Sequence, residues 1–239
     1  MALDLPEPTF RHVLYPAYKG SRPTMPEDLL CQMPYVPLMA EALYVTPVAH
    51  AGYEADDVIG ALSKQAESKG WSVVIVASDK DMAQLVSPQI SLYDPIKDQY
   101  STEADIQARW GVAPSQMVDL LSLMGDKIDG VPGVKGIGKK IAGQLIAQFG
   151  TLDHLLMHLD EVASPVVREA LRASAETVRC SRLLIALDVD CPVTFEPEQF
   201  ACRPADHARL IPLCQELELS RLLRRLTDWA SAPSLFPSL

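Results

Sequence analysis

Acidic residues fall in three short groups, each at a point where a predicted helix, strand or turn begins or ends. The groups are Glu54, Asp56 and Asp57; Asp79 and Asp81; and Asp126 and Asp129. Carboxylates packed together without cations repel one another, whereas hard divalent cations prefer oxygen ligands. The three groups therefore predict a site for Mg²⁺ or Mn²⁺, of the kind in which two ions activate a water and stabilise a leaving oxygen.

A glycine-rich turn follows the third acidic group and leads into a predicted helix. Gly133, Gly136 and Gly138 leave backbone N–H groups uncovered, and Lys139 and Lys140 add positive charge beside them. Exposed amides at a helix N-terminus are suited to bind phosphate. Metal-type acids joined to such a turn predict metal-dependent attack on nucleic acid.

Each of these patterns also has an ordinary structural explanation. Acids at a helix start suit the helix dipole, Ser-Asp-Lys-Asp over 78–81 is a typical cap and turn, and glycine turns often serve helix packing. Their conjunction in this order favours the metal site. His154 and His158 lie four residues apart without an accompanying acid, so we interpret them as surface or packing residues and expect no zinc site.

The elements that must position these residues change character along the chain. A helix from Glu54, a β-branched apolar run over 71–77 and a short helix from Lys80 predict an open α/β sheet, and a hairpin around Asp94 extends it. Asp79 then lies just past the carboxyl end of a strand, the edge where such sheets bind ligands.

From Pro114 onward the pattern is almost wholly helical. Helices are predicted over 114–124, 137–149, 152–159, 164–173, 175–187 and 205–229, the last broken near Glu218 and followed by a frayed tail from Ser231. The expected organisation is an α/β core over 1–113 and a helical domain over 114–239.

The first forty residues predict an arm. Residues 1–26 are rich in proline, aromatic and basic residues, which is typical of a surface loop or of a flexible arm. A helix that starts near Pro26 meets two further prolines, and the whole arm is expected over 10–43. Arg11, Lys19 and Arg22 are the arm residues expected to hold phosphates.

Composition sets the class and the compartment. The 239 residues carry a net charge of −10, which argues against nonspecific coating of nucleic acid but is neutral evidence if metal ions offset the site acids. Five cysteines without a C-x-x-C pair, no signal peptide and no apolar run of membrane length lead us to expect a reduced cytoplasmic protein.

Five motifs, in this order, resemble the 5′→3′ exonuclease and flap endonuclease family, most of all the N-terminal nuclease domain of bacterial DNA polymerase I and its stand-alone relatives. They are F-R-H-x-L-Y-P-x-Y-K-G-x-R from Phe10, P-E-D-L from Pro26, G-Y-E-A-D-D over 52–57, S-D-K-D over 78–81 and G-D-x-x-D-G-V-P-G-V-x-G-I-G over 125–138. The resemblance extends from Phe10 to about Leu226.

The resemblance implies a fold and roles for single residues. The fold is a partial parallel-sheet core of PIN-like or resolvase-like type, followed by an all-helical, SAM-like half with a helix-three-turn-helix at 125–149. All seven acids named above would be metal ligands, and Lys19 and Arg22 would steady the scissile phosphate. The turn over 133–140, Val134 included, would hold duplex backbone, with a K⁺ ion on its carbonyls.

The resemblance also implies partners and one departure. The substrate would be DNA with 5′ ends, flaps or branches, a DNA polymerase is the candidate protein partner, and the location is the bacterial cytoplasm at the nucleoid. Two further aspartate ligands of the family lie on strands without a counterpart here, since Asp4 follows no apolar strand. The alternative function is therefore a catalytically impaired DNA-binding remnant; an RNA-directed nuclease is less favoured.

Overall fold

The computed structural model describes the backbone of residues 1–231 and side chains up to Leu226, so the expected frayed tail lies outside the described residues except for Ser231. The chain forms two compact units. The main unit comprises Ala2–Pro23 and Ala49–Phe195; the small unit comprises Met1, Thr24–Val48 and the chain from Glu196 onward.

A three-stranded mixed sheet lies in the main unit. Its strands, in spatial order, are β1 (Val73–Val76), β2 (Ile90–Asp94) and β3 (Gln99–Ser101). β1 and β2 run parallel, whereas β2 and β3 form the expected antiparallel hairpin. The β1 side chains alternate between the faces of the sheet: Ile75 is 4% exposed, but Val74 and Val76 are 51% and 61% exposed. The prediction that this strand is buried therefore holds for one face only.

Helices build the rest of the main unit. They are α1 (Phe10–Leu14), α4 (Ala55–Ser68), α5 (Glu103–Trp110), α6 (Met117–Met124), α7 (Lys139–Phe149), α8 (Leu152–Met157) and α9 (Pro165–Ile185). Short 3₁₀ helices occupy Lys80–Leu85, Pro114–Gln116 and Leu159–Glu161. One continuous hydrophobic core joins β1 and β2 to α5, α6, α7, α8 and α9.

The sequence predicts two helices where α9 runs unbroken for 21 residues. Leu171 and Val178, both 0% exposed, are two turns apart and therefore lie on the same face. No glycine or proline stands between them to end a helix. The weak strand predicted near Val193 is absent from the described strands.

The small unit is helical. Its helices are α2 (Glu27–Leu30), α3 (Tyr35–Ala42), α10 (His207–Glu216) and α11 (Ser220–Ser231). The expected interruption near Pro34 separates α2 from α3, and Glu218, at φ 55°, lies between α10 and α11. Ala42, Leu210 and Cys214 form part of a separate small core.

Within the described residues, no helix combines the length and the apolar character needed to cross a bilayer.

The backbone crosses itself closely between α6 and α7. Gly125 follows α6 with φ +70°, and a Cβ on Gly133 would lie 2.2 Å from the Met124 carbonyl oxygen. Asp126 and Val131 exchange two backbone hydrogen bonds of 2.8 and 2.7 Å, which close the intervening loop. Only glycine at both positions permits this approach.

We therefore predict that Gly133→Ala destabilises the protein by roughly 3 kcal/mol or more, because backbone atoms rather than a movable side chain meet the new methyl group. Gly138→Ala is the matched control: its Cβ meets nothing within 4 Å, and losing a glycine N-cap costs about 1 kcal/mol or less. Urea unfolding followed by circular dichroism measures both. Equal losses would contradict the close crossing.

Candidate metal and nucleic-acid site

The carboxyl end of β1 leads into an acidic turn. Asp79 Oδ1 accepts the Asp81 amide at 2.9 Å and caps the 3₁₀ helix that follows. Ser78 donates its hydroxyl to Asp94, at the end of the neighbouring strand, at 2.9 Å. Asp79 is exposed and Asp81 half-buried. The sheet edge at which ligands bind thus presents two carboxylates side by side.

The first turn of α4 supplies the second acidic group, and its members have different surroundings. Glu54 is the N-cap and Asp56 and Asp57 follow in the first turn, where the helix dipole favours negative charge. Glu54 is 6% exposed and Asp57 0%, whereas Asp56 is half-buried.

Asp57 forms a fully satisfied buried ion pair with Arg11. The guanidinium donates one hydrogen bond of 2.7 Å to each carboxylate oxygen, and the amides of Glu54 and Asp188 donate at 2.9 and 2.8 Å. Arg11, 1% exposed, also donates to the carbonyls of Leu184 and Ala186 at 2.7 and 2.9 Å.

These contacts revise two expected roles. Both oxygens of Asp57 are occupied by donors, which leaves none for a metal ion. Arg11 has no surface from which to reach a phosphate. The pair instead joins α1 to the first turn of α4 and to the end of α9.

Glu54 receives the side chain of Lys19. The ammonium lies 2.6 Å from Oε1, and the Tyr18 hydroxyl donates to Oε2 at 3.0 Å. Lys19 has φ 54°, uncommon for a lysine, and its amide donates to the Asp129 carbonyl at 2.8 Å. The arm segment therefore packs between α4 and the loop that carries the third acidic group.

That loop holds Asp126 and Asp129. Asp126 Oδ1 accepts the amides of Ile128 and Asp129 at 2.7 and 3.2 Å, and its Oδ2 pairs with Lys80. Arg22 donates Nε to Asp129 at 3.1 Å. With Arg11 on Asp57 and Lys19 on Glu54, four cations therefore pair with acids of the three groups, and Lys80 links the second group to the third.

The pKa values indicate which acids lie close enough to influence one another's charge. Burial, followed by repulsion from Asp79 and Glu54, raises the pKa of Asp56 to about 7. Burial and Asp79 raise that of Asp81 to about 6 against the opposing effect of Lys80. Burial would also raise the pKa of Asp126, but hydrogen bonds from Lys80 and two amides hold it below its usual value.

The structure adds one acid that sequence reasoning set aside. Asp4 accepts the Ala55 amide at 2.8 Å, at the N-terminus of α4, and its charge contributes to the raised pKa of Asp56. Asp4 follows no apolar strand in the sequence, yet the structure places its carboxylate at the start of α4 beside Asp56. The sequence signal that could have predicted this contact is the helix start itself, because the backbone amides in the first turn of α4 need hydrogen-bond acceptors.

The acids fit a divalent cation in chemistry and in charge. All candidate ligands are carboxylate oxygens, which suit Mg²⁺ or Mn²⁺. Asp56 and Asp79 form no ion pair with any described residue, and Lys19 offsets only part of the repulsion that Asp79 and Glu54 exert on Asp56. Among described residues, no three His, Cys, Asp or Glu side chains already converge on one point. The arrangement supplies ligands without a preformed cage.

The glycine turn lies beyond the acidic loop and ends at α7. Val134 is buried and its amide donates to the Leu123 carbonyl at 2.8 Å, which anchors the turn. At Gly136 and Gly138 a Cβ would meet no atom within 4 Å, so their backbone is open. α7 has no side-chain cap and no acid in its first turn. Its amides are therefore free to meet phosphate.

Two lysines flank this helix start. Lys139 and Lys140 are both exposed, and the Lys139 ammonium lies 4.3 Å from the centre of the Trp110 ring. The tryptophan holds one cation close to the open amides. The surface is thus positive although the whole chain is acidic.

We predict that Arg11→Met lowers the free energy of unfolding by about 3–5 kcal/mol, because it leaves the Asp57 carboxylate buried without its cation. Arg22→Met is the control, since its pair with Asp129 is half-exposed and worth about 1 kcal/mol or less. Urea unfolding at pH 7.5 measures both. A loss no larger than that of the control would contradict the assigned role.

We predict that Asp56→Asn stabilises the metal-free protein at neutral pH. A carboxyl whose pKa is raised by folding binds more protons in the folded state, so its stabilising contribution is lost as pH rises from about 4 to 7. In EDTA the variant should gain roughly 1–3 kcal/mol over the parent between pH 5 and 7.5, with no further gain above pH 8. Asp160→Asn is the control: the side chain is exposed, and thermal unfolding of this variant should show no such dependence on pH. A difference in stability between Asp56→Asn and the parent that does not change with pH would contradict the crowding of acids around Asp56.

Comparison with known proteins identifies the family and the fold. Two sequence models of one family match consecutive parts of the chain: the 5'-3' exonuclease N-terminal resolvase-like domain over residues 1–111 and the 5'-3' exonuclease C-terminal SAM fold over residues 112–208. DNA polymerase I of Rhizobium leguminosarum is 38% identical over 94% of the chain, and that of Treponema pallidum is 41% identical over 83%. The chain spans only 22% and 20% of the length of these two relatives.

Solved structures share the fold. The T5 D15 protein co-crystallised with metal ions has a TM-score of 0.69 at 20% identity, with 95% of this chain and 84% of that chain covered. The catalytic core of Rad2 in complex with DNA substrate has a TM-score of 0.59 at 17% identity, with 90% and 73% covered. With consecutive family models over residues 1–208 and the resolvase-like and SAM folds that they describe, the chain belongs to the 5'-3' exonuclease family.

Proposed function

We propose that the chain is a divalent-metal-dependent 5′→3′ exonuclease or 5′-flap endonuclease that hydrolyses DNA phosphodiester bonds. The observation that carries this proposal is the mutual electrostatic influence of acids from α4, the end of β1 and the Asp126 loop. They are close enough to raise the pKa values of Asp56 and Asp81. Such crowding costs stability and is retained where a cation is to be bound.

The residues fall into distinct roles. The proposed metal ligands are Asp4, Glu54, Asp56, Asp79, Asp81, Asp126 and Asp129. Two Mg²⁺ or Mn²⁺ ions bound there would supply an activated water and stabilise the leaving oxygen. Metal ions and zinc in the T5 structures support the metal class.

Lys19 and Arg22 are proposed to hold the scissile phosphate. Each already lies against an acid of the site, with Lys19 on Glu54 and Arg22 on Asp129. A phosphate arriving there would meet a guanidinium and an ammonium that are positioned by the folded arm. Arg11 and Asp57 position this machinery without touching the substrate.

DNA backbone is proposed to bind the turn over 133–140, part of a helix-three-turn-helix at 125–149. The open backbone at Gly136 and Gly138, the uncapped start of α7 and the charges of Lys139 and Lys140 support this role. Gly133 and Val134 act through backbone shape, and a K⁺ ion on the carbonyls is part of the proposal. The DNA substrate in the Rad2 structure supports the ligand class.

Domain organisation, partner and location follow in the same way. We propose a nuclease core over 1–113 and a DNA-binding domain over 114–239, a division near the boundary between the two family models. DNA polymerase I relatives support action on 5′ ends, flaps or branches beside a polymerase, in the bacterial cytoplasm at the nucleoid.

A DNA-binding remnant with impaired cleavage is the second candidate. Three cations already neutralise acids of the site, and no three of the described ligand side chains converge on a single point. Binding by the glycine turn does not depend on those acids.

The deciding experiment incubates the chain with a 5′-flap DNA in Mg²⁺ or in EDTA and resolves the products. We expect Mg²⁺-dependent cleavage that Asp79→Asn reduces about hundredfold or more, since it removes one charge from an exposed ligand. Asp160→Asn is the matched control and should cleave normally. Cleavage in EDTA, or an unchanged Asp79→Asn, would refute the proposed nuclease site.

Binding of the same flap in EDTA separates the two candidates. Lys139→Gln with Lys140→Gln should weaken binding and lower the salt slope by about two, whichever candidate holds. Binding without Mg²⁺-dependent cleavage identifies the remnant.

A further inference from the structure

Lys80 stands between two of the acidic groups without being one of the expected site residues. Its ammonium pairs with Asp126, 46 positions along the chain, and lies 3.3 Å from Asp81 Oδ1. Its side chain is 32% exposed, so the contact is partly shielded from solvent. A single cation therefore bridges the end of β1 and the Asp126 loop.

The bridge uses the part of Asp126 that a metal ion would need. Asp126 Oδ1 already accepts the amides of Ile128 and Asp129, which hold the carboxylate in place. The remaining oxygen, Oδ2, is the one that faces Lys80. A divalent ion that approaches Asp126 must share this oxygen with the ammonium or displace it.

The charge of Lys80 is secure at neutral pH. The ordinary pKa of a lysine, about 10.4, lies far above neutral pH, and the ammonium here contacts two carboxylates. The side chain thus remains a cation, and at about 4 Å a fixed unit charge repels an incoming ion strongly.

We propose that Lys80 is an internal counter-ion that occupies the Asp81–Asp126 side of the acidic site and competes there with a divalent cation. The inference rests on the proposed function for the presence of the metal site. It makes Lys80 a residue that sets metal affinity, distinct from Lys19 and Arg22, which are assigned to the phosphate. In the metal-free protein the ammonium of Lys80 holds Asp81 and the Asp126 loop together. The same positive charge repels the first divalent ion that approaches these carboxylates.

The test measures Mn²⁺ binding to the full chain without DNA, by electron paramagnetic resonance of free Mn²⁺. Lys80→Gln retains a hydrogen-bond donor for Asp126 but removes the charge, and should bind Mn²⁺ about tenfold more tightly than the parent. Lys80→Arg keeps the charge and should bind like the parent. Lys64→Met removes an ion pair with Glu67 of similar exposure on α4 and should also leave Mn²⁺ affinity unchanged.

Thermal unfolding gives an independent readout. In EDTA, Lys80→Gln should melt below the parent because two carboxylates lose their cation, and Mn²⁺ should raise its melting temperature by more than it raises the parent's. If Lys80→Gln does not fold in EDTA, Lys80→Met folded in the presence of Mn²⁺ is judged by the same affinity criterion. Affinity equal to or weaker than that of the parent overturns the proposal.

The outcomes separate this inference from the nuclease itself. A parent chain that cleaves the flap with Mg²⁺, together with unchanged Mn²⁺ affinity in Lys80→Gln, refutes the role of Lys80 and leaves the nuclease standing. Tighter Mn²⁺ binding in Lys80→Gln with a parent that does not cleave supports the counter-ion and refutes the nuclease. Absence of Mn²⁺ binding in every variant refutes the role of Lys80, and the nuclease is then judged by flap cleavage alone.

Discussion

The buried pair of Arg11 and Asp57 is the interaction on which the site depends. It neutralises a carboxylate that has no contact with solvent, and four further hydrogen bonds tie the pair to the backbone around it. Through it, α1, the first turn of α4 and the end of α9 have one permitted arrangement. Since removing one partner of such a pair leaves an isolated buried charge, the arrangement is strongly favoured over alternatives.

Because Arg11 holds Asp57 in place, the neighbouring carboxylate of Asp56 can remain without an ion pair. Asp56 is one residue away on the same helix, yet it has the raised pKa and no described ion pair. The carboxylates thus divide into those that hold the fold and those that we propose bind a metal ion. Lys19, Arg22 and Lys80 limit the repulsion among the second kind without abolishing it.

Much of this arrangement could be predicted from the sequence because it is local. The helix start at Glu54, the acids after β1 and the glycine turn before α7 each depend on residues a few positions apart. The partners of the acids are set by tertiary contacts: Arg11 and Asp57 are 46 positions apart, as are Lys80 and Asp126. Sequence spacing cannot tell whether an aspartate at a helix start becomes buried or stays accessible. It therefore predicts the same role for Asp56 and Asp57.

Asp4 and α9 are two further features that local sequence patterns did not predict. Asp4 has no strand of its own, and only the return of the chain to α4 brings its carboxylate to the Ala55 amide. In α9 the local pattern indicates two helices, but a shared buried face over Leu171 and Val178 keeps the segment continuous. Packing decides both cases, and packing is not encoded in a window of ten residues.

The close approach of Gly125 and Gly133 fixes the backbone path of the loop independently of the side chains that the loop exposes. Because the course of the chain there is fixed by two residues without side chains, the exposed positions between and beyond them, among them Ile128 at 71% exposure and Lys135, contribute little to it. Their side chains can be exchanged while the backbone keeps its path. Such a loop offers evolution, or protein engineering, a constant backbone on which the exposed side chains can be varied one residue at a time.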